Sequence, residues 1–168
     1  MIHICSLSRL HHTVKTTGAR HVVTLLRDTD LVQRPHGIEA ADHLILGMDD
    51  INAPLDGYVA PADEHVARLL GFVRGWNRTA PLVVHCYAGI SRSTAGAYVT
   101  ACALNPRRNE LAIAQALRRA SATATPNLRI VSLADRLLGR SGRMVAAIET
   151  IGSGAMAAEA VPFRLELE

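Results

Sequence analysis

The sequence predicts a single α/β domain: a small, mostly parallel central sheet with helices on both faces. Three observations carry that prediction. Short runs rich in β-branched residues alternate with segments of helical periodicity, the order that yields strand–crossover–strand units. The chain has 168 residues, 49% of them hydrophobic, which suffices for one sizeable core. Only 4% are aromatic, so Ala, Val, Leu and Ile must fill that core, as they do where helices lie on a small sheet.

The elements follow in order. Residues 2–7 read as a strand, residues 8–17 as a polar connection of helical character closed by Gly18, and residues 21–26 as a second strand. Residues 42–46 form a third. Residues 47–61 are irregular and hold Asp49, Asp50 and Asp56 among prolines and glycines; long loops of this kind are often functional. Residues 62–76 carry Val66, Leu69, Leu70 and Val73 at i, i+3, i+4, i+7, the stripe of an amphipathic helix, with Asp63 and Glu64 suiting its positive end. A buried strand entered through Pro81 and a buried helix over residues 93–104 come next, and Asn105-Pro106 stops that helix. Residues 109–120 are helical, with Leu111, Ala114 and Leu117 on one face. Thr125 as N-cap and Pro126 at the first position open a further helix that ends near Gly139. A last helix spans residues 141–151 and meets the break Gly152-Ser153-Gly154. The domain thus covers residues 1–152. Residues 153–168 form a C-terminal tail, and the sequence leaves open whether it docks or stays flexible.

Charge and cysteine usage narrow the function. The net charge is +3 with scattered basic residues, which favours anionic ligands without a nucleic-acid-binding arm. No run of 18 apolar residues occurs, and the first residues lack the charged start and apolar core of a signal peptide, so neither a membrane span nor export is expected. The three cysteines, Cys5, Cys86 and Cys102, include no Cys-x-x-Cys pair, and the histidines show no metal-ligand spacing. The expectation is a cytoplasmic protein with free thiols, no metal and no cofactor; Cys5 and Cys102 read as small core residues.

The chemistry concentrates in His85-Cys86-Tyr87-Ala88-Gly89-Ile90-Ser91-Arg92-Ser93. A strand precedes it and a helix follows, so successive backbone N–H groups and the positive end of the helix dipole converge at the turn. Such a turn binds a tetrahedral oxyanion and favours the thiolate of a cysteine at its mouth. His-Cys-x5-Arg-Ser resembles the signature of the cysteine-dependent protein tyrosine phosphatase superfamily, and the short chain is most similar to its compact dual-specificity branch. The resemblance runs from about the second strand to the helix that ends near Leu138.

That resemblance implies a metal-independent phosphomonoester hydrolase acting through a phosphocysteine on a phosphorylated protein or a small phosphorylated substrate. In it Cys86 is the nucleophile and Arg92 the planar fork that grips phosphate oxygens. The loop Tyr87, Ala88, Gly89, Ile90 and Ser91 supplies N–H donors, with Gly89 easing the tight turn. Ser93 steadies the departing sulfur anion, and His85 orders the loop. A general acid on a loop upstream is also implied; Asp49 and Asp50 follow the third strand directly whereas Asp56 precedes Gly57 as in a turn, and Asp50 is favoured, with Asp49 and then Asp56 as alternatives. Ala124-Thr125-Pro126-Asn127 resembles the segment behind the dual-specificity signature, where the Asn braces the phosphate loop, which gives Asn127 a supporting role. The signature loop contains no Lys or extra Arg, which disfavours phosphoinositides. The competing reading is a catalytically silent phosphoprotein-binding module that keeps the cradle without turnover.

Overall fold

Five strands, β1 (Ile2–Ser6), β2 (His21–Leu25), β3 (His43–Leu46), β4 (Leu82–Cys86) and β5 (Phe163–Leu165), line up in the spatial order β3-β2-β4-β1-β5. The computed structural model describes residues 1–167. The first four strands are mutually parallel and β5 runs antiparallel to β1. β4 sits at the centre and every one of its residues is buried, as a strand covered on both faces requires.

Side-chain alternation divides the sheet between two unequal layers. Ile2 and Ile4 of β1, Val23 and Leu25 of β2, and Leu82 and Val84 of β4 enter the larger core. That core also takes residues from α2 (Asp63–Gly75), α3 (Arg92–Leu104), α4 (Glu110–Ala120), α5 (Leu128–Leu137) and α6 (Arg143–Ile151). Cys5, Val22 and Val83 face the other way and meet Leu10 and Val14 of α1 (Leu10–Thr17), with Ala19, Ile38 and Val32 beside them. α3 is the central helix: its first eleven residues are all buried, and Gly96 lets it lie close against Leu25 and Val84.

The strands and helices sit within a residue or two of the sequence expectation, with one correction and one addition. Thr125 is not a helix cap. α5 begins at Leu128, and Asn127 is its N-cap, with Oδ1 accepting the Ile130 N–H at 3.0 Å. The reason lies in the backbone. The N–H groups of Thr125 and Asn127 donate to the Ile90 and Ser91 carbonyls, so the chain approaches α5 extended and cannot start coiling at Pro126. The addition is β5. After α6 ends at Gly152 the chain returns across the molecule and pairs Ile2, His3 and Ile4 with Leu165, Arg164 and Phe163. No helix among the described residues is long and apolar enough to cross a membrane.

Candidate active site

β4 ends at Cys86 and α3 begins at Arg92, so the intervening residues form one tight turn at the C-terminal edge of the sheet, where loops of open α/β sheets hold their ligands. Cys86 is buried at 2% exposure. Its Sγ lies 3.1 Å from Ser93 Oγ and accepts the Gly89 N–H at 3.3 Å. Gly89 has φ +76°, and a Cβ there would come within 2.9 Å of the Cys5 and Ser6 backbone. Only glycine allows the turn to press this closely on β1.

Arg92 is nearly buried, and its Nη1 donates to the Met48 carbonyl at 2.9 Å. That bond fixes the plane of the guanidinium. The Nε donor is buried with no protein partner, an unmet hydrogen bond that an anion bound in the turn would satisfy. Asp50 stands at the opposite rim. Its Oδ1 accepts from Ser91 Oγ at 2.7 Å and from Asn127 Nδ2 at 2.8 Å. Asp49 is occupied differently: its Oδ2 and its N–H bond the N–H and carbonyl of Val59, at 2.6 Å and 2.7 Å, closing the base of the 47–61 loop. Asp56 is exposed in the turn before Gly57.

His85 lies next to Cys86, fully buried. Its Nε2 is 2.6 Å from Thr24 Oγ1, and its Nδ1 faces the Cys86 carbonyl at 3.4 Å. Thr24 Oγ1 is also 2.8 Å from His43 Nε2. Burial lowers both histidines to about 4, so both are neutral near pH 7. One assignment satisfies all four groups: His43 donates to Thr24, Thr24 donates to His85, and His85 donates to the Cys86 carbonyl. Burial also pushes the thiols of Cys5 and Cys102 up to about 12, which keeps them protonated and unreactive.

The structure therefore brings Cys86, Arg92, Ser93, Gly89, Ser91, Asp50 and Asn127 together around one turn, with His85 beneath it. Tyr87 points outward and is 64% exposed. Sequence reasoning missed Thr24, the Met48 carbonyl and Ala160, whose N–H donates to the Ala88 carbonyl at 2.9 Å. Two of these act through backbone atoms, which leave no mark in residue identity. Thr24 becomes visible only with the strand register that sets it beside His85.

A family model described as protein-tyrosine phosphatase matches residues 54–123, a stretch that contains the whole turn. Three solved structures share the fold. The Cydia pomonella PTP-2 phosphatase is 20% identical with a TM-score of 0.62, covering 98% of this chain and 94% of that one. The human tyrosine phosphatase-like serine/threonine/tyrosine-interacting protein is 17% identical with a TM-score of 0.63, covering 83% and 92%. PTPMT1 in complex with PI(5)P is 12% identical with a TM-score of 0.63, covering 88% and 93%. No curated protein matches the chain in sequence.

Proposed function

We propose that the chain is a cysteine-dependent protein tyrosine phosphatase of the compact, dual-specificity-like form, and that its own residues hydrolyse a phosphomonoester. The observation that carries the reading is the Cys86 sulfur set among the Ser93 hydroxyl, the Gly89 amide and an arginine whose Nε awaits a partner.

The substrate phosphate enters the turn and accepts from the loop amides and Arg92. Cys86 Sγ attacks phosphorus in line as the ester oxygen leaves, so an S–P bond forms while the O–P bond breaks. The Asp50 carboxyl gives its proton to the departing oxygen. Water then attacks the phosphocysteine, Asp50 takes a proton from it, and inorganic phosphate leaves as the S–P bond breaks and its electron pair returns to Cys86 Sγ. Ser93 O–H donates to the sulfur anion released in that step. Asn127 and Ser91 hold Asp50 at the rim between steps. Turnover thus needs one acid, one nucleophile and fixed donors, and the charge that stays on the phosphoryl oxygens is met by groups already in place.

A phosphorylated protein is the substrate class we favour. Two shallow grooves flank the turn, one of about 340 Å³ along Leu7, Ser8, Tyr87 and Ala158, the other of about 260 Å³ along Asn52, Ser91, Asn127 and Leu128. Open grooves on both sides suit a chain segment running past the phosphate. The absence of Lys and Arg from residues 87–91 gives a polyanionic lipid headgroup no extra cation there. A reducing cytoplasm is the proposed setting, because three free thiols, Cys86 among them, must stay reduced.

The test is hydrolysis of p-nitrophenyl phosphate and of phosphotyrosine peptides in the presence of chelator. Wild-type protein turns over, and rapid acid quenching traps phosphate on Cys86; Cys86→Ser is inactive yet still binds the oxyanion. Activity that survives Cys86→Ser rejects the mechanism. Peptide binding without any turnover by the wild type makes the chain a phosphoprotein-binding module instead.

A further inference from the structure

A planar trans peptide directs its carbonyl and its N–H to opposite sides. Any group that holds a loop carbonyl outward therefore turns the next residue's N–H toward the anion. In this turn the Tyr87 carbonyl accepts from Leu7 N–H at 3.1 Å, the Ile90 carbonyl from Thr125 at 3.0 Å and the Ser91 carbonyl from Asn127 at 3.2 Å. The Cys86 carbonyl faces His85 Nδ1. These partners come from the end of β1, the approach to α5 and the nucleophile's own strand.

The Ala88 carbonyl is held from elsewhere. Its donor is Ala160 N–H, at 2.9 Å, in the segment that joins α6 to β5. The N–H of that same Ala88–Gly89 peptide is the one that reaches Cys86 Sγ. Ala160 is itself buried at 3% exposure and is tethered on both sides. Before it, the Glu159 carboxylate accepts from the Ser6 and Ser8 hydroxyls, which hold it below the usual carboxylate range. After it, β5 pairs with β1. Ser6 is also the residue on which Gly89 rests, so β1 is at once the floor of the turn and the anchor of the returning strand. The family model ends at residue 123, well before this segment.

We propose that Ala160 is a positioning residue of the active site: its backbone N–H, delivered by the strap of residues 153–165, orients the Ala88–Gly89 peptide and thereby aims the Gly89 amide at the nucleophile and at the bound phosphoryl group. The inference rests on the phosphatase reading above but is read out separately from turnover. A strap that orients one donor of the nest also makes oxyanion binding and strap order mutually dependent, since each strengthens the other.

Ala160→Pro removes the donor and also fixes φ at that position. Val161→Pro, one residue on at an exposed position whose N–H meets no part of the loop, is the control for proline in the strap. In the Cys86→Ser background, calorimetric tungstate affinity is expected to fall about tenfold with Ala160→Pro and less than about twofold with Val161→Pro, one misdirected anion donor being the difference. In the active protein the same pair separates in kcat by about tenfold. Equal affinity in Ala160→Pro and the parent, or equal damage from both prolines, overturns the proposal. Should Ala160→Pro fail to fold, hydrogen exchange on the Cys86→Ser protein decides: tungstate must slow exchange of the Ala160 amide, and an unchanged rate overturns the proposal. If wild-type protein binds tungstate with this strap dependence and hydrolyses nothing, the phosphatase reading fails while the positioning role stands.

Discussion

His85 is where a single side chain connects the proposed active site to stability. It sits under Cys86 with no solvent contact, and the Thr24 hydroxyl that it accepts from stands directly across from it in the β2–β4 register. Burial lowers it from 6.5 to about 4. Between those values the unfolded chain binds a proton that the folded chain excludes, so the folded state is favoured above pH 6.5 and loses that advantage as pH falls toward 4. The contribution is about 3 kcal/mol at neutral pH. Half-buried His43, lowered for the same reason, acts in the same direction. Urea unfolding is therefore expected to show stability falling from pH 7 to pH 4.5, and the fall to be shallower in His85→Gln; parallel pH profiles for the two proteins would refute the assignment. The grouping of Cys86, Arg92 and Ser93 at one turn was legible in the sequence because it follows from residue type and local spacing. The Thr24–His43 extension was not, because it exists only through pairing of strands far apart in the chain.

At the scale of elements, two segments must meet before the proposed acid is in place. The 47–61 loop leaves β3 and is closed at its base by the Asp49–Val59 bonds; one residue on, Asp50 turns to the N-cap of α5. The sequence ranked Asp50 ahead of Asp49 and Asp56 by position alone; the bond from Asn127 at the start of α5 to Asp50, and the bonds of Asp49 to Val59, give that order a physical basis. Asn127 serves both elements: its Oδ1 caps α5 and its Nδ2 holds Asp50. Asp50→Asn is expected to lower kcat about a hundredfold on alkyl phosphates and less than about tenfold on p-nitrophenyl phosphate, whose leaving group scarcely needs a proton. Asn127→Ala is expected to cost about 1 kcal/mol in urea unfolding through the lost cap, and its effect on kcat should largely disappear when Asp50 is already Asn. Full additivity of the two substitutions, measured as a double-mutant cycle, would show that Asn127 acts independently of Asp50.

At the scale of the whole molecule, the chain secures the edge that bears the proposed active site by returning to where it began. Without β5, β1 would present an open row of backbone groups at the sheet edge. The sequence did not reveal this closure: residues 163–165 are too short a run to read as a strand, and the Gly-rich break before them resembles a linker. The break is in fact tightly built. Arg118 donates to the carbonyls of Ala124, Ile151 and Gly152, and Gly154 N–H donates to Thr125 Oγ1 at 3.0 Å. A Cβ on Gly154 would lie 2.6 Å from the Ala122 carbonyl oxygen and the Thr123 carbonyl carbon, and 2.8 Å from the Ala124 oxygen. All three are backbone atoms, which cannot swing aside as a side chain would, so the strap itself must move. Gly154→Ala is expected to destabilise by about 1–3 kcal/mol and to speed hydrogen exchange in β5 while the amides of α3 stay protected. Gly71, inside α2 with nothing within 4 Å of its Cβ position, gives the opposite sign. Gly71→Ala fills no occupied space and removes backbone freedom from the unfolded chain, so it should stabilise by about 0.5–1 kcal/mol. Two glycine-to-alanine changes moving stability in opposite directions, with exchange altered in β5 only by the first, would show that residues 152–154 are a fitted turn; similar effects from both would mean that the return of the chain is loosely held and contributes little to the edge it covers.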